Sequence, residues 1–211
     1  MVNDIKDAEG LLRFVAEESI AYVDFRFTDY NGKWQHVAYH NSVLNEDFLE
    51  DGLMFDGSSL PGWCSINESD MLLKPDYTTT QLDPFAAQKT AFVICNIVDP
   101  ITGQPYSRDP RSTAKKAEAY LASTGVADTV FVGAEAEFFV FDSVKTRVAP
   151  EKISFEISSI EGDDLADADI TGGNSGHRPG IKGGYFALPP VDSANDLRAE
   201  MLTVMAQMGL P

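Results

Sequence analysis

The sequence predicts an α+β protein in two parts, and three observations carry that prediction. Much of the first hundred residues alternates in hydrophobicity with a period of two, the mark of half-buried strands. A dense set of breakers, DPITGQPYSRDP from Asp99, then interrupts the pattern and makes the best domain boundary. Beyond it a helix is followed by an apolar strand, the order of an α/β unit.

The elements follow in order. Residues 7–20 place Leu11, Leu12, Phe14, Val15 and Ile20 largely on one helical face. AYVDFRFTD alternates next, with Val23, Phe25 and Phe27 pointing one way and Asp24 and Arg26 the other. Tyr30-Asn31-Gly32 supplies a turn, and KWQHVAY returns as the second arm of a hairpin. Residues 41–50 read as a short helix capped by Asn41 or Ser42. MFDGSSLPGWCSINESD, rich in Gly, Ser, Asp and Pro, reads as a loop, and residues 71–73 and 90–98 as further strands. Pro110 opens a helix that ends near Gly125, and VFVGAEAEFFVFD from Val130 reads as a strand buried on both faces. Residues 145–179 show little periodicity and predict a long excursion, of the kind that is functional or mobile in compact domains. IKGGYFALPP predicts a short strand, and Asp192 the cap of a final helix carrying Leu197, Met201, Val204 and Met205.

Composition narrows the function classes. The formal charge of −17 argues against non-specific nucleic-acid binding, which needs clustered Lys and Arg to neutralise phosphates. Two cysteines, Cys64 and Cys95, without framework spacing read as free thiols in a reducing cytosol. The first residues lack the basic-then-apolar pattern of a signal peptide, and no apolar run is long enough to span a bilayer. The expectation is a soluble, cytoplasmic protein.

The residues that carry chemistry are few. In Glu135-Ala136-Glu137 a strand's period sends both carboxylates to one face, roughly 6–7 Å apart. Two acids so close repel when both are ionised. A strand with one solvated face is the plain alternative. Val130, Val132 and Phe138 to Phe141 favour burial instead, for which Mg²⁺ or Mn²⁺ with oxygen ligands is the natural resolution. DDLADADITGG opens like a calcium loop from Asp167 but carries Arg178 at the twelfth position, where a bidentate Glu is required. GGNSGHRPGIKGG has neither the ending of a P-loop nor the dinucleotide fingerprint. His36 and His40 read as structural or surface residues, and with His177 they are too scattered for a zinc site. Met201, Met205 and Met208 read as core. Asp56 stands in a tight turn, where an Asp most often bonds its own backbone.

Taken together, FDGSS, GWCSINESDM, DPF, YSRDPR, GAEAEFFVFD, GHRPGIKGGYF and PPVDS, in that order, resemble type I glutamine synthetase from about Ala21 to Pro211. The resemblance implies a β-grasp-like domain over residues 1–104 and the first part of the catalytic α/β domain over 105–211. It implies two stacked hexameric rings, with active sites between subunits, that use ATP, L-glutamate and ammonium. Glu135 and Glu137 match metal-binding carboxylates, each serving a different one of two Mg²⁺ or Mn²⁺ ions. Asp56 matches the acid that binds ammonium and helps deprotonate it. Trp63 matches an aromatic of the same inter-subunit loop, and Asp70 and Tyr185 fall near that site, Tyr185 in a catalytic position. Nucleotide-binding residues have no match within the chain.

One departure is small: Ala134 stands where a Pro often precedes the first Glu. A larger one is that the family chain runs on well beyond Pro211, where its remaining metal ligands and its nucleotide and glutamate contacts lie. The expectation is therefore an incomplete chain, inactive by itself. Two alternatives are a related ligase that joins glutamate to another amine, and a truncated paralogue acting in assembly or regulation.

Overall fold

A computed structural model describes residues 5–65, 69–159 and 182–210. It divides into two compact units, residues 1–131 with 207–210, and residues 132–206 with 211.

The first unit is built on one mixed sheet. Helix α1, Ala8–Glu17, is capped by Asp7, whose carboxylate accepts the Gly10 N–H at 2.8 Å. Strands β1 (Tyr22–Thr28) and β2 (Trp34–His40) form the expected hairpin. Its turn is held by Asp29, which accepts the N–H groups of Asn31 and Lys33, each at 2.9 Å. Strand β5 (Thr90–Val98) runs parallel to β1, and β4 (Asp70–Leu82) antiparallel to β5. With β3 (Leu53–Asp56) at the far edge, the order is β2-β1-β5-β4-β3. This is the expected β-grasp-like arrangement, a helix packed on a curled sheet. Leu11, Phe14 and Val15 of α1 share one buried cluster with Val23, Phe25, Leu73, Val93 and Ile97 of the sheet.

On the other side of β1 the alternation is interrupted usefully. Asp24 is buried, and its two oxygens are taken by Arg26 Nε at 2.6 Å and His36 Nδ1 at 2.5 Å. Arg26 also donates to Asp83 and lies over the Phe92 ring, 4.4 Å from its centroid. His40 meets the Ser42 hydroxyl at 2.8 Å. Both histidines are accounted for structurally, as the sequence suggested.

Several boundaries differ from expectation for identifiable reasons. Helix α2 is Glu46–Asp51, capped by Asn45 through the Phe48 N–H at 2.8 Å, while residues 41–43 form a separate 3₁₀ turn. Val43 and Leu44 follow the expected caps Asn41 and Ser42 and leave Asn45 as the polar residue nearest the helical run. Strand β3 takes Met54, Phe55 and Asp56 out of the expected loop, because they pair with Leu72, Met71 and Asp70. Strand β4 runs far past Leu73, through Pro75 and a bulge between Asp76 and Gln81. There the Thr79 hydroxyl accepts the Ile94 N–H at 2.8 Å, replacing a backbone acceptor in a run that reads as polar loop.

The end of β5 leads to helix α3, Pro110–Thr124, which closes on Gly125 in the left-handed conformation at φ 69°. Pairing of β1 with β5 stops at Arg26 and Ile94. Residues 105–109 then occupy the same edge of β5. Pro105 bridges Val98, the Tyr106 N–H bonds the Ile97 carbonyl at 2.9 Å, and Asp109 Oδ2 accepts the Ile97 N–H at 3.3 Å.

Residues 130–141, which fall in the second unit from Val132 on, form no ladder with any described strand and are exposed, Phe131 by 94% and Phe139 by 85%. This corrects the doubly buried strand expected there. Apolar content makes such a segment fit for an inner position, but burial of a strand needs pairing strands on both edges and cover on both faces, and the described residues supply no pairing strand. The excursion expected from Lys145 begins instead as a hairpin, β6 (Ser143–Ala149) and β7 (Lys152–Ser158), around Pro150 and Glu151. Its strands are exposed on both faces, so no alternation marks them in the sequence. Residues 182–186 are turns and not a strand. Helix α4, Asn195–Gln207, follows Asp192, which accepts the Ala194 N–H at 3.2 Å and pairs with Arg198. It buries no residue, so Met201 and Met205 are not core here.

Candidate active site

The residues singled out in the sequence fall into two groups, one in each unit. In the first, β3 and β4 meet with Asp56 opposite Asp70 in register, so two carboxylates stand at adjoining strand positions. Opposed residues of this kind have Cα atoms about 4.5–5.5 Å apart, so each acid needs donors of its own. Asp56 has them. Its Oδ1 accepts the Ser58 hydroxyl at 2.6 Å and the Ser58 N–H at 2.9 Å, and its Oδ2 accepts the Ser59 hydroxyl at 3.1 Å. These bonds, the Ser58 hydroxyl foremost, hold the Asp56 carboxyl below the usual carboxylate range. The side chain is exposed, so it is an ionised carboxylate fixed in direction and open to solvent. It bonds its own turn, as the plain reading of the sequence has it.

The chain from Asp56 to Trp63 is a run of linked turns. Gly57 N–H bonds the Ser69 carbonyl at 2.7 Å, Leu60 N–H the Gly57 carbonyl at 3.1 Å, and Trp63 N–H the Leu60 carbonyl at 3.1 Å. Trp63 is 1% exposed. Its indole meets Phe27 and Phe55 edge-on and stacks on Tyr106, with centroids 5.6 Å apart and planes 10° from parallel. Trp63 and Asp70 line one open pocket of about 1100 Å³ with Met54, Cys64, Tyr106 and Arg108. Cys64 is half-buried and Cys95 buried, neither in a disulfide, and burial pushes the Cys95 thiol well up.

Tyr106 and Arg108 were not picked out by sequence reasoning. They lie inside the breaker run, which signals a boundary and says nothing of which carbonyls its side chains will meet. The structure shows the Tyr106 hydroxyl donating to the Trp63 carbonyl at 2.5 Å. Arg108 Nη1 donates to the same carbonyl at 2.7 Å and also to that of Gly62.

In the second unit, Glu135 and Glu137 are both exposed. Glu137 and Tyr185 line one pocket of about 960 Å³ with Phe138, Phe139, Lys182 and Arg198. Tyr185 stands in the 182–186 turn, its ring 4.4 Å from that of Phe186. The structure therefore brings Glu137 and Tyr185 to one pocket, Asp56 and Asp70 to paired positions of β3 and β4, and Trp63 and Asp70 to a second pocket. His177 and the whole of DDLADADITGG lie outside the described residues, as does most of the glycine-rich stretch after it.

The donor chemistry suits a hard divalent cation in kind, since Glu135 and Glu137 offer carboxylate oxygens. It is short in number. Mg²⁺ takes six oxygen ligands, and the described residues contain no group of three or more His, Cys, Asp or Glu able to hold a metal. Nor do the described residues include a helix long and apolar enough to cross a membrane.

Comparison with known proteins agrees with the fold. Residues 19–100 match the family model described as glutamine synthetase, beta-Grasp domain, and residues 107–211 match glutamine synthetase, catalytic domain. A protein called glutamine synthetase in Azospirillum brasilense is 55% identical over 98% of this chain, and one in Escherichia coli (strain K12) is 52% identical over 96%. The chain spans 44% and 43% of the length of these two relatives. A solved glutamine synthetase of Plasmodium falciparum superposes on 97% of the chain and 40% of its own, with a TM-score of 0.86 at 23% identity, a likeness of fold. With both family models matched in sequence order and nearly all of the chain aligned at about half identity, the chain belongs to the glutamine synthetase family.

Proposed function

We propose that the protein to which this chain belongs ligates ammonia to L-glutamate at the expense of ATP, through a γ-glutamyl phosphate, giving L-glutamine. The observation that carries this reading is the 55% identity over 98% of the chain to a protein called glutamine synthetase. The proposed division is a β-grasp-like domain over 1–104 and the start of the catalytic domain over 105–211. We place the protein in the cytoplasm as a dodecamer of two hexameric rings, with sites between subunits. The exposed apolar residues of 130–141 support an assembly that covers them.

The roles proposed for this chain's residues follow from their chemistry. Asp56 is charged, exposed and aimed by two serines, which suits it to attract ammonium and to take a proton as the nitrogen attacks. Its lowered proton affinity favours the attracting role, and a proton taken from the nitrogen is readily released to the solvent to which the side chain is open. Glu135 and Glu137 would each hold one of two Mg²⁺ or Mn²⁺ ions, completed by ligands from elsewhere in the protein. Such ions, when bound, neutralise the charge that develops as phosphate passes to the γ-carboxylate. Tyr185 faces the pocket that Glu137 lines and is placed to position substrate there. Trp63 and Asp70 would form the inter-subunit loop that shields the site from water. The proposal for the 211 residues by themselves is that they do not turn over, since they span 44% of the length of that relative.

The test uses the full-length protein and follows ATP-dependent formation of glutamine from glutamate and ammonium. Glu137→Ala should abolish it. Unchanged activity in that variant overturns the metal assignment, and a wild type that uses methylamine but not ammonium overturns the choice of substrate.

A further inference from the structure

We propose that Tyr106 and Arg108 are positioning residues for the ammonium site. They clamp the Gly62–Trp63 backbone, and through it they hold the turn on which Asp56 sits. The inference rests on the reading of Asp56 given above, and goes beyond it by assigning a role to two residues outside the loop itself.

The geometry is that of a clamp with two jaws. One jaw is the Tyr106 ring, stacked on the buried Trp63 indole at 5.6 Å, with its hydroxyl on the Trp63 carbonyl at 2.5 Å. The other is the Arg108 guanidinium, bonded to the carbonyls of Gly62 and Trp63. Both jaws rise from residues 105–109, which are themselves fastened to the edge of β5 at Ile97 and Val98. The clamp is therefore anchored in the sheet. Between the clamp and Asp56, each turn is closed by a backbone hydrogen bond, Trp63 to Leu60 and Leu60 to Gly57. The other end of the run is fixed by the pairing of Asp56 with Asp70. With both ends held and the middle closed by hydrogen bonds, the two serines have one position from which to aim the carboxylate.

Arginine suits this place for a stated reason. Bonds from a charged donor are stronger than neutral ones, and a rigid planar fork held over neighbouring carbonyls loses little freedom on binding them. Lysine offers a single mobile ammonium and cannot reproduce that constraint. Tyr106→Phe keeps the stacked ring and removes one bond, so it weakens one jaw without opening a cavity.

The test again uses the full-length protein. Steady-state kinetics with ammonium, glutamate and ATP varied in turn would compare Arg108→Gln, Arg108→Lys and Tyr106→Phe with wild type. Amide hydrogen exchange read by mass spectrometry on peptides covering 57–65 gives a second readout that needs no activity. Because small misplacements of reacting groups cost on the order of 10²-fold, Arg108→Gln should raise the ammonium KM by about 10- to 100-fold, leaving the ATP KM unchanged. Arg108→Lys and Tyr106→Phe should fall between it and wild type. Exchange at Leu60 and Trp63 should quicken in the same order. An active wild type with an unchanged ammonium KM in Arg108→Gln, or with all three KM values raised alike, overturns the inference and leaves the proposed function standing. A wild type without ammonium-dependent glutamine formation overturns the proposed function, and unchanged exchange in Arg108→Gln overturns the clamp independently.

Discussion

Asp109 joins the sheet to the second half of the chain, and its removal has a cost that the structure allows to be worked out. The residue is 1% exposed and caps α3. Its Oδ1 accepts the Arg111 N–H at 3.1 Å. Its Oδ2 accepts the Ser112 N–H at 3.1 Å, the Ser112 hydroxyl at 2.6 Å and the Ile97 N–H at 3.3 Å. In Asp109→Ala the helix loses its cap, worth about 1 kcal/mol. The Ile97 N–H, buried where β1 no longer pairs with β5, loses its acceptor, which costs roughly a further 1–3 kcal/mol. The expected loss is about 2–4 kcal/mol. Asp109→Asn keeps an oxygen where Oδ2 stands but turns an amide toward the Arg111 N–H, so its loss should be less than half that of alanine. Equilibrium urea unfolding followed by circular dichroism would read both variants. A loss under about 1 kcal/mol for alanine, or equal losses for the two, refutes the account of Asp109 as joint cap and strand acceptor.

Two further outcomes are expected. Gly62 sits at φ +74°, and a Cβ there would stand 2.6 Å from the Tyr30 hydroxyl, so Gly62→Ala should destabilise by about 1–3 kcal/mol. Adding Tyr30→Phe should recover part of that in the same unfolding assay, while full recovery would show that the backbone carries no strain. For pH, desolvation works to raise the Asp76 carboxyl, but the Thr78 hydroxyl and Arg111 outweigh it and hold it below its ordinary value. A depressed folded-state value gives stability that is present above the unfolded pKa, near 4, and is lost as pH falls through the folded one. Arg111→Gln should therefore cost most stability at neutral pH, and the gap from wild type should close below about pH 4. A gap constant across that range in acid titration of the unfolding free energy would remove Asp76 as the cause.

The legible parts of the fold were those whose apolar residues lie on one face. β1 and α1 carry a clean stripe because one face of each meets the buried cluster, and the pattern in the residues repeats that geometry. β4 beyond Leu73 and the β6–β7 hairpin were not legible. One runs through a Pro and a polar bulge repaired by a threonine hydroxyl, and the other is exposed on both faces. Neither condition leaves a period in the sequence. The same logic explains the opposite error at residues 130–141, where hydrophobic content predicts a buried position but does not supply the strands that would bury it.

The site divides along a similar line. Motif context was enough to single out Asp56, Trp63 and Asp70, but not that Asp56 and Asp70 stand opposite each other, because that follows from the register of β3 on β4, 14 residues apart at these two positions. The residues around Asp56 pointed to a turn-forming Asp, and the family resemblance to a working carboxylate. The geometry makes these compatible. The bonds from Ser58 and Ser59 that build the turn also keep the carboxylate charged and fixed, so the structural role supplies the electrostatic condition the chemical role needs. A substitution that frees the carboxylate, such as Ser58→Ala, would then raise its proton affinity and loosen its aim together. The first change favours taking a proton, and the second weakens capture of the cation. If aim dominates, ammonium binding falls at every pH. If charge dominates, it falls only toward acid, where Asp56 in the variant is protonated first.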